Sequence, residues 1–126
     1  MSASWRVLRN AKSGAVVLER VRLCKSFWCH LKGLQLAPQL PDHEGLLFVT
    51  GDEGISTKAI HMLFMRFSIA VVWLDSGGRV VDKKLAKPWR LYYAPKTPAR
   101  YYVEASVSLL DRVRVGDVLT FDDDVI

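Results

Sequence analysis

Cysteine is scarce in this sequence: Cys24 and Cys29 are the only two in 126 residues. So close together, they cannot staple a fold of this size, and the pattern points to free thiols in a reducing compartment. Long apolar runs are missing too. The longest strictly apolar stretch is Ile69 to Leu74, whereas a membrane-spanning helix needs about 20 such residues. The opening residues, MSASWRVLRNAKSG, hold no apolar run of signal-peptide length and no cleavage signature. These absences lead to the expectation of a cytoplasmic protein with no membrane partner. There is no phosphate loop, no dinucleotide fingerprint and no nucleophile elbow. Histidine is limited to His30, His43 and His61. Cys24, Cys29 and His30 lack the CxxC spacing of a zinc site, so no metal and no cofactor is expected.

What is present is ordinary globular composition, half hydrophobic and a quarter charged. It provides one core, and residues 1–126 read as a single domain. Net charge is +5, unevenly spread. Residues 1–34 carry +6, residues 35–78 carry −3, residues 79–100 carry +6 and residues 101–126 carry −4. Such asymmetry draws anionic ligands or nucleic acid, or simply keeps the surface solvated.

Trp5 to Arg9 and Ala15 to Val21 read as two strands of a hairpin around the turn residues Asn10 to Gly14. Over 24–35 the period changes. Cys24, Phe27, Trp28, Leu31 and Leu34 share one face of a helix, with Cys29 on the other, and Pro38 and Pro41 end it. Gly45 to Val49 reads as a buried strand and 51–57 as a loop. Residues 59–67 are mixed. Ile69 to Leu74 is apolar on both faces, the mark of a central strand covered on both sides. Ser76-Gly77-Gly78 turns it into a strand over 79–85. Three prolines keep 86–100 irregular. Tyr101 to Ala105 is a strand, Ser106 to Val113 a short helix capped by Ser106 or Ser108, and Val118 to Phe121 a last strand. Six to eight strands with one or two short helices predict an α+β fold, predominantly antiparallel β, built as a small barrel or sandwich.

Few residues invite chemistry. His61 sits on an apolar segment, where a packed histidine is the plainer reading. Glu104 lies inside a strand, either as a solvent-facing partner for a cation or as a buried, shifted carboxylate in a cleft. Segment 79–102 interleaves Lys83, Lys84, Lys87, Arg90, Lys96 and Arg100 with Trp89, Tyr92, Tyr93, Tyr101 and Tyr102. Single-strand binders combine cations and rings in this way, though Pro-rich aromatic loops also pack as lids.

An ordered set of segments carries a resemblance. It comprises Gly33-Leu34, Glu44 to Phe48, the block His61 to Asp75, Lys87-Pro88-Trp89-Arg90, Glu104, and Val115-Gly116-Asp117. The set resembles the prokaryotic family called domain of unknown function 192, over roughly residues 15–121. The resemblance implies a compact β-rich fold with a short helix after the first hairpin, and no reaction. It implies a shared ligand-binding surface at His61, Met65, Arg66, Trp89 and Glu104. The family usually carries Asp where this chain has Ala70, so any shared acid there is lost.

The expectation is therefore a binding or accessory module for a small anionic ligand or a partner protein, a monomer or weak homodimer. Arg66 would fix an anionic group, Trp89 would stack, and Glu104 would orient Arg66 or His61. Two alternatives stand beside it: a small enzyme using His61 and Glu104 as acid and base, and a nucleic-acid accessory protein using 79–102.

Overall fold

The computed structural model describes residues 5–24, 41–54, 67–89 and 93–121, with backbone alone at 24 and 50–54. Within them seven strands form: β1 (Trp5–Asn10), β2 (Val16–Cys24), β3 (Glu44–Gly54), β4 (Ile69–Leu74), β5 (Val80–Ala86), β6 (Ala99–Ala105) and β7 (Leu119–Phe121). A 3₁₀ helix, Val107–Asp111, follows β6. All seven strands lie in one sheet of order β5-β4-β6-β3-β2-β1-β7. The fold is mostly β, in an open mixed sheet.

Both expected hairpins form. β1 and β2 pair antiparallel around a turn in which the Asn10 side chain accepts from the Lys12 and Ser13 amides, at 2.9 and 3.1 Å. β4 and β5 pair antiparallel around Asp75, whose carboxylate accepts from the Gly77 and Arg79 amides. Five of the six pairings are antiparallel, and β2–β3 is parallel. Arg20 secures that parallel edge, stacked 4.2 Å over Trp5 and paired with Glu44 at 3.5 Å.

Three expectations need correction. β3 continues through Gly54, so the first part of the loop expected over 51–57 is strand. Its backbone regains pairing at Gly54↔Ala99 after a register shift, which local glycine and polar content does not announce. Cys24 ends β2 rather than opening a helix, because it pairs with Phe48 across the parallel ladder. The rest of the expected helix lies outside the described residues, as does the mixed stretch up to 66. Ser106 stands at the cap position of the 3₁₀ helix, but its hydroxyl caps nothing. It donates to Asp42 at 3.0 Å and pairs with Ser108 at 2.8 Å.

The centre of the sheet is buried on both faces. One face holds the main core, including Leu8, Leu18, Val21, Leu47, Val72 and Val103. The other holds Phe48, Ile69, Val71, Trp73, Ala86, Ala99 and Tyr102. β4 alternates between them and is wholly buried, so each of its large apolar side chains contributes about 1.5–3 kcal/mol.

The two edge strands meet at one end. Leu119 N donates to Gly78 O at 2.9 Å, Val80 N to Asp117 O at 2.7 Å and Gly116 N to Val80 O at 2.8 Å. Gly78 has φ 85°, and a Cβ there would stand 2.6 Å from the Leu119 carbonyl oxygen. Only glycine allows this approach. Further along β5, the Lys83 ammonium crosses to the carbonyls of Leu110 and Val113, at 2.7 and 2.8 Å.

Candidate functional site

β6 runs between β3 and β4, so its side chains have strand neighbours on both sides. Tyr101, Val103 and Ala105 enter the main core. Tyr102 and Glu104 therefore project to the other face. Glu104 lies opposite Val71 on β4 and Leu46 on β3. Tyr102 lies opposite Trp73 and Phe48, and its ring stacks on Phe48 with centroids 4.5 Å apart and planes 8° apart.

Glu104 is 8 % exposed, and no described residue donates a hydrogen bond to its carboxylate. Burial disfavours its ionised form and pushes its pKa up to about 7. The Tyr102 hydroxyl is raised as well, first by burial and then by the charge of Glu104. A carboxyl group titrating near neutrality can donate or accept a hydrogen bond at cellular pH.

The second buried carboxylate on this face, Asp82, has a different setting. It lies opposite Trp73 on β5 and is 4 % exposed. Its oxygens accept from Lys83 N at 2.8 Å and Lys96 N at 3.0 Å, and the Lys84 ammonium stands 3.7 Å away. Lys84 also donates to Ala94 O at 2.6 Å and lies 5.8 Å from the Trp73 ring centroid. Together these two side chains tie the 93–98 loop over the β5 edge. Asp82 also caps an edge-strand amide, a device that blunts edge-to-edge pairing.

Of the five predicted site residues, Trp89 and Glu104 are described, while His61, Met65 and Arg66 lie outside the described residues. Trp89 follows β5, is 58 % exposed and has φ 65°, a left-handed backbone that a bulky side chain rarely adopts. Several described residues of the basic–aromatic segment are engaged within the fold, while Lys87, Trp89 and Lys96 are exposed. Arg79 donates to Gly116 O, Lys83 and Lys84 bond to carbonyls, and Arg100 lies over Tyr101. Tyr101 and Tyr102 are buried, which removes them as stacking platforms.

Comparison with known proteins now bears on this site. Residues 8–121 match DUF192, a family described as uncharacterized ACR. The chain belongs to the DUF192 family. It is 36 % identical over 118 residues to a UPF0127 protein of Thermococcus sibiricus, covering 92 % of this chain and 75 % of that one. It is 36 % identical over 115 residues to a UPF0127 protein of Pyrococcus furiosus, covering 90 % and 96 %. Two solved structures share the fold. One, from Sinorhizobium meliloti 1021, is of a protein proposed to be a transcription regulator (TM-score 0.83, 21 % identity, 96 % of each chain). The other, from Novosphingobium aromaticivorans, is of unknown function (TM-score 0.78, 18 % identity, 93 % and 84 %). This DUF192 chain is thus a member of an uncharacterised family. No helix among its described residues is long and apolar enough to cross a membrane.

Ala70 and Glu104 lie on opposite faces of the sheet of this DUF192 chain. Ala70 pairs with Ala105 and Leu85 and belongs to the main core, whereas Glu104 pairs with Val71 on the opposite face. A side chain at position 70 projects to the face opposite Glu104. Sequence reasoning missed Asp82 and the Phe48–Tyr102 stack, and it placed Lys84 and Tyr102 in the basic–aromatic segment rather than beside Glu104 and Asp82. One signal existed for Asp82: it is the single acid in the basic block 79–100.

Proposed function

We propose that this DUF192 chain is a cytoplasmic binding module that holds a small anionic ligand, or an anionic group of a partner protein, on the Glu104 face of its sheet. The observation that carries this reading is the buried Glu104 carboxylate without a described partner. Such a group costs stability that a ligand can restore. Protonated, Glu104 donates its O–H to an anionic oxygen. On sequence grounds His61, Met65 and Arg66 join it, with Arg66 fixing the anion and Trp89 offering its exposed ring at the rim. The edge contacts from Gly78 to Leu119 support a finer reading of the sheet as a barrel closed at one end.

Native mass spectrometry on gently purified protein, followed by thermal shifts against small carboxylates and phosphates, tests the reading. The expected result is a retained or added anion whose stabilisation is lost in Arg66→Ala and in Glu104→Leu. A bare chain that no anion stabilises, or a shift that survives both substitutions, overturns it.

The near-neutral titration of Glu104 favours a second reading, a small enzyme with Glu104 and His61 as acid and base. It requires a turnover with one limb near pH 7 that is lost in both Glu104→Gln and His61→Ala.

A further inference from the structure

We infer a second anion site, at the end of the sheet where the edge strands meet, that takes a small molecule bearing a phosphate group. It does not rest on the Glu104 reading and shares no residue with that face. A cleft of about 690 Å³ lies between the β1–β2 turn and the start of β5. That is the size range of small-ligand sites. Its walls include Asn10, Lys12, Ser13, Arg79, Gly116 and Asp117.

The side chains of these walls offer more donors than acceptors, with one Asp117 carboxylate oxygen as the remaining acceptor. Asn10 Oδ1 accepts from the amides of Lys12 and Ser13, and the Nδ2 hydrogens have no acceptor among the described residues. Ser13 Oγ accepts from Ala15 N at 3.2 Å, which leaves the O–H to donate. Asp117 Oδ2 accepts from Arg114 N at 2.9 Å. Arg79 gives one N–H to Gly116 O at 3.0 Å, which holds the guanidinium in place with its other donors unused by described residues. Among the described residues no carboxylate pairs with Lys12 or Arg79. Two cations, an amide and a hydroxyl thus face a cavity with one carboxylate, Asp117, at its wall. Four donors and a net positive charge match the acceptor-only surface of a phosphate monoester. The Arg79 fork contacts two phosphate oxygens and Lys12 a third.

The turns that build the cleft also keep it open. Gly14 and Gly116 have φ 76° and 101°, and a Cβ added at either would meet no atom within 4 Å. These glycines are required by backbone conformation, and the space beside them is free.

The test is a ¹⁵N-detected NMR titration of the full chain with phenyl phosphate, benzoate and a short single-stranded oligonucleotide as separate probes. Phenyl phosphate is expected to shift the amides of residues 10–14, 78–80 and 116–118 saturably, and benzoate more weakly at the same amides. Lys12→Ala and Arg79→Lys should each weaken phenyl phosphate at least fivefold, about 1 kcal/mol by the tenfold-per-1.4 kcal/mol relation. Lys87→Ala, an exposed cation outside the cleft, should leave it unchanged. Circular dichroism melts identify any variant that has lost its fold. The exposed Lys12 makes no described tertiary bond through its ammonium, so Lys12→Ala remains a decisive variant. Shifts spread over the basic surface, equal weakening by Lys87→Ala, or binding of the oligonucleotide alone would each overturn the proposal.

Discussion

On the main-core face of the sheet the buried side chains are aliphatic or aromatic from Leu8 to Phe121. On the opposite face two carboxylates, Asp82 and Glu104, are buried among Trp73, Tyr102 and Phe48. The two acids themselves differ. Asp82 accepts two backbone amides and stands beside Lys84, so its burial is compensated. Glu104 sits opposite two aliphatic residues, and its carboxyl group is pushed towards neutrality. A compensated buried acid fastens a loop to an edge strand. A buried acid with no donor among the described residues is the one more open to a ligand.

The sharpest way to break this contrast is to place an acid on the wrong face. Ala70→Asp puts a carboxylate into the main core at a fully buried position and is expected to cost on the order of 3–5 kcal/mol. Urea unfolding at pH 7 measures it. A cost below about 1 kcal/mol would mean that the main core holds a polar partner for position 70.

Glu104 predicts an unusual pH dependence. Its pKa is raised from 4.5 in the unfolded chain to about 7 in the fold. Between those values the folded state binds more protons, so this group's contribution falls as pH rises through the window and is whole below it. The difference is on the order of 3 kcal/mol. Unfolding free energies should therefore fall from pH 5 to pH 8 in the natural sequence. In Glu104→Gln they should be flatter, and higher at pH 8. Identical pH profiles for the two proteins would show that burial does not raise the pKa of Glu104 in the fold.

Asp82→Ala is the smaller effect. It leaves the Lys83 amide without its acceptor and releases the Lys96 end of the loop, at a cost of about 1–3 kcal/mol. Hydrogen exchange should then quicken at residues 83 and 96 before it quickens in β4. Unchanged exchange there would show that the loop is held by Lys84 alone.

Much of the fold was legible in local pattern. The apolar run Ile69 to Leu74 read as a strand covered on both faces, Ser76-Gly77-Gly78 read as a hairpin turn, and both form. The candidate site was half legible. Glu104 stood out as an acid inside an apolar strand, but alternation alone could not say which face held it or whether Ala70 shared that face. Lys83 and Lys84 are adjacent and chemically alike, yet one crosses to the 3₁₀ helix and the other lies over Trp73.

Periodicity, turn chemistry and charge distribution depend on near neighbours in the chain. By itself the sequence therefore determined most of the strands and both hairpin turns, and which family the chain resembles. Strand order, the parallel β2–β3 pair, the amide bonds to Asp82 and the place of Glu104 between Leu46 and Val71, and the meeting of Gly78 with Leu119 were decided only by the tertiary structure. Each joins residues far apart along the chain, and which of them become neighbours is set by packing the whole sheet at once.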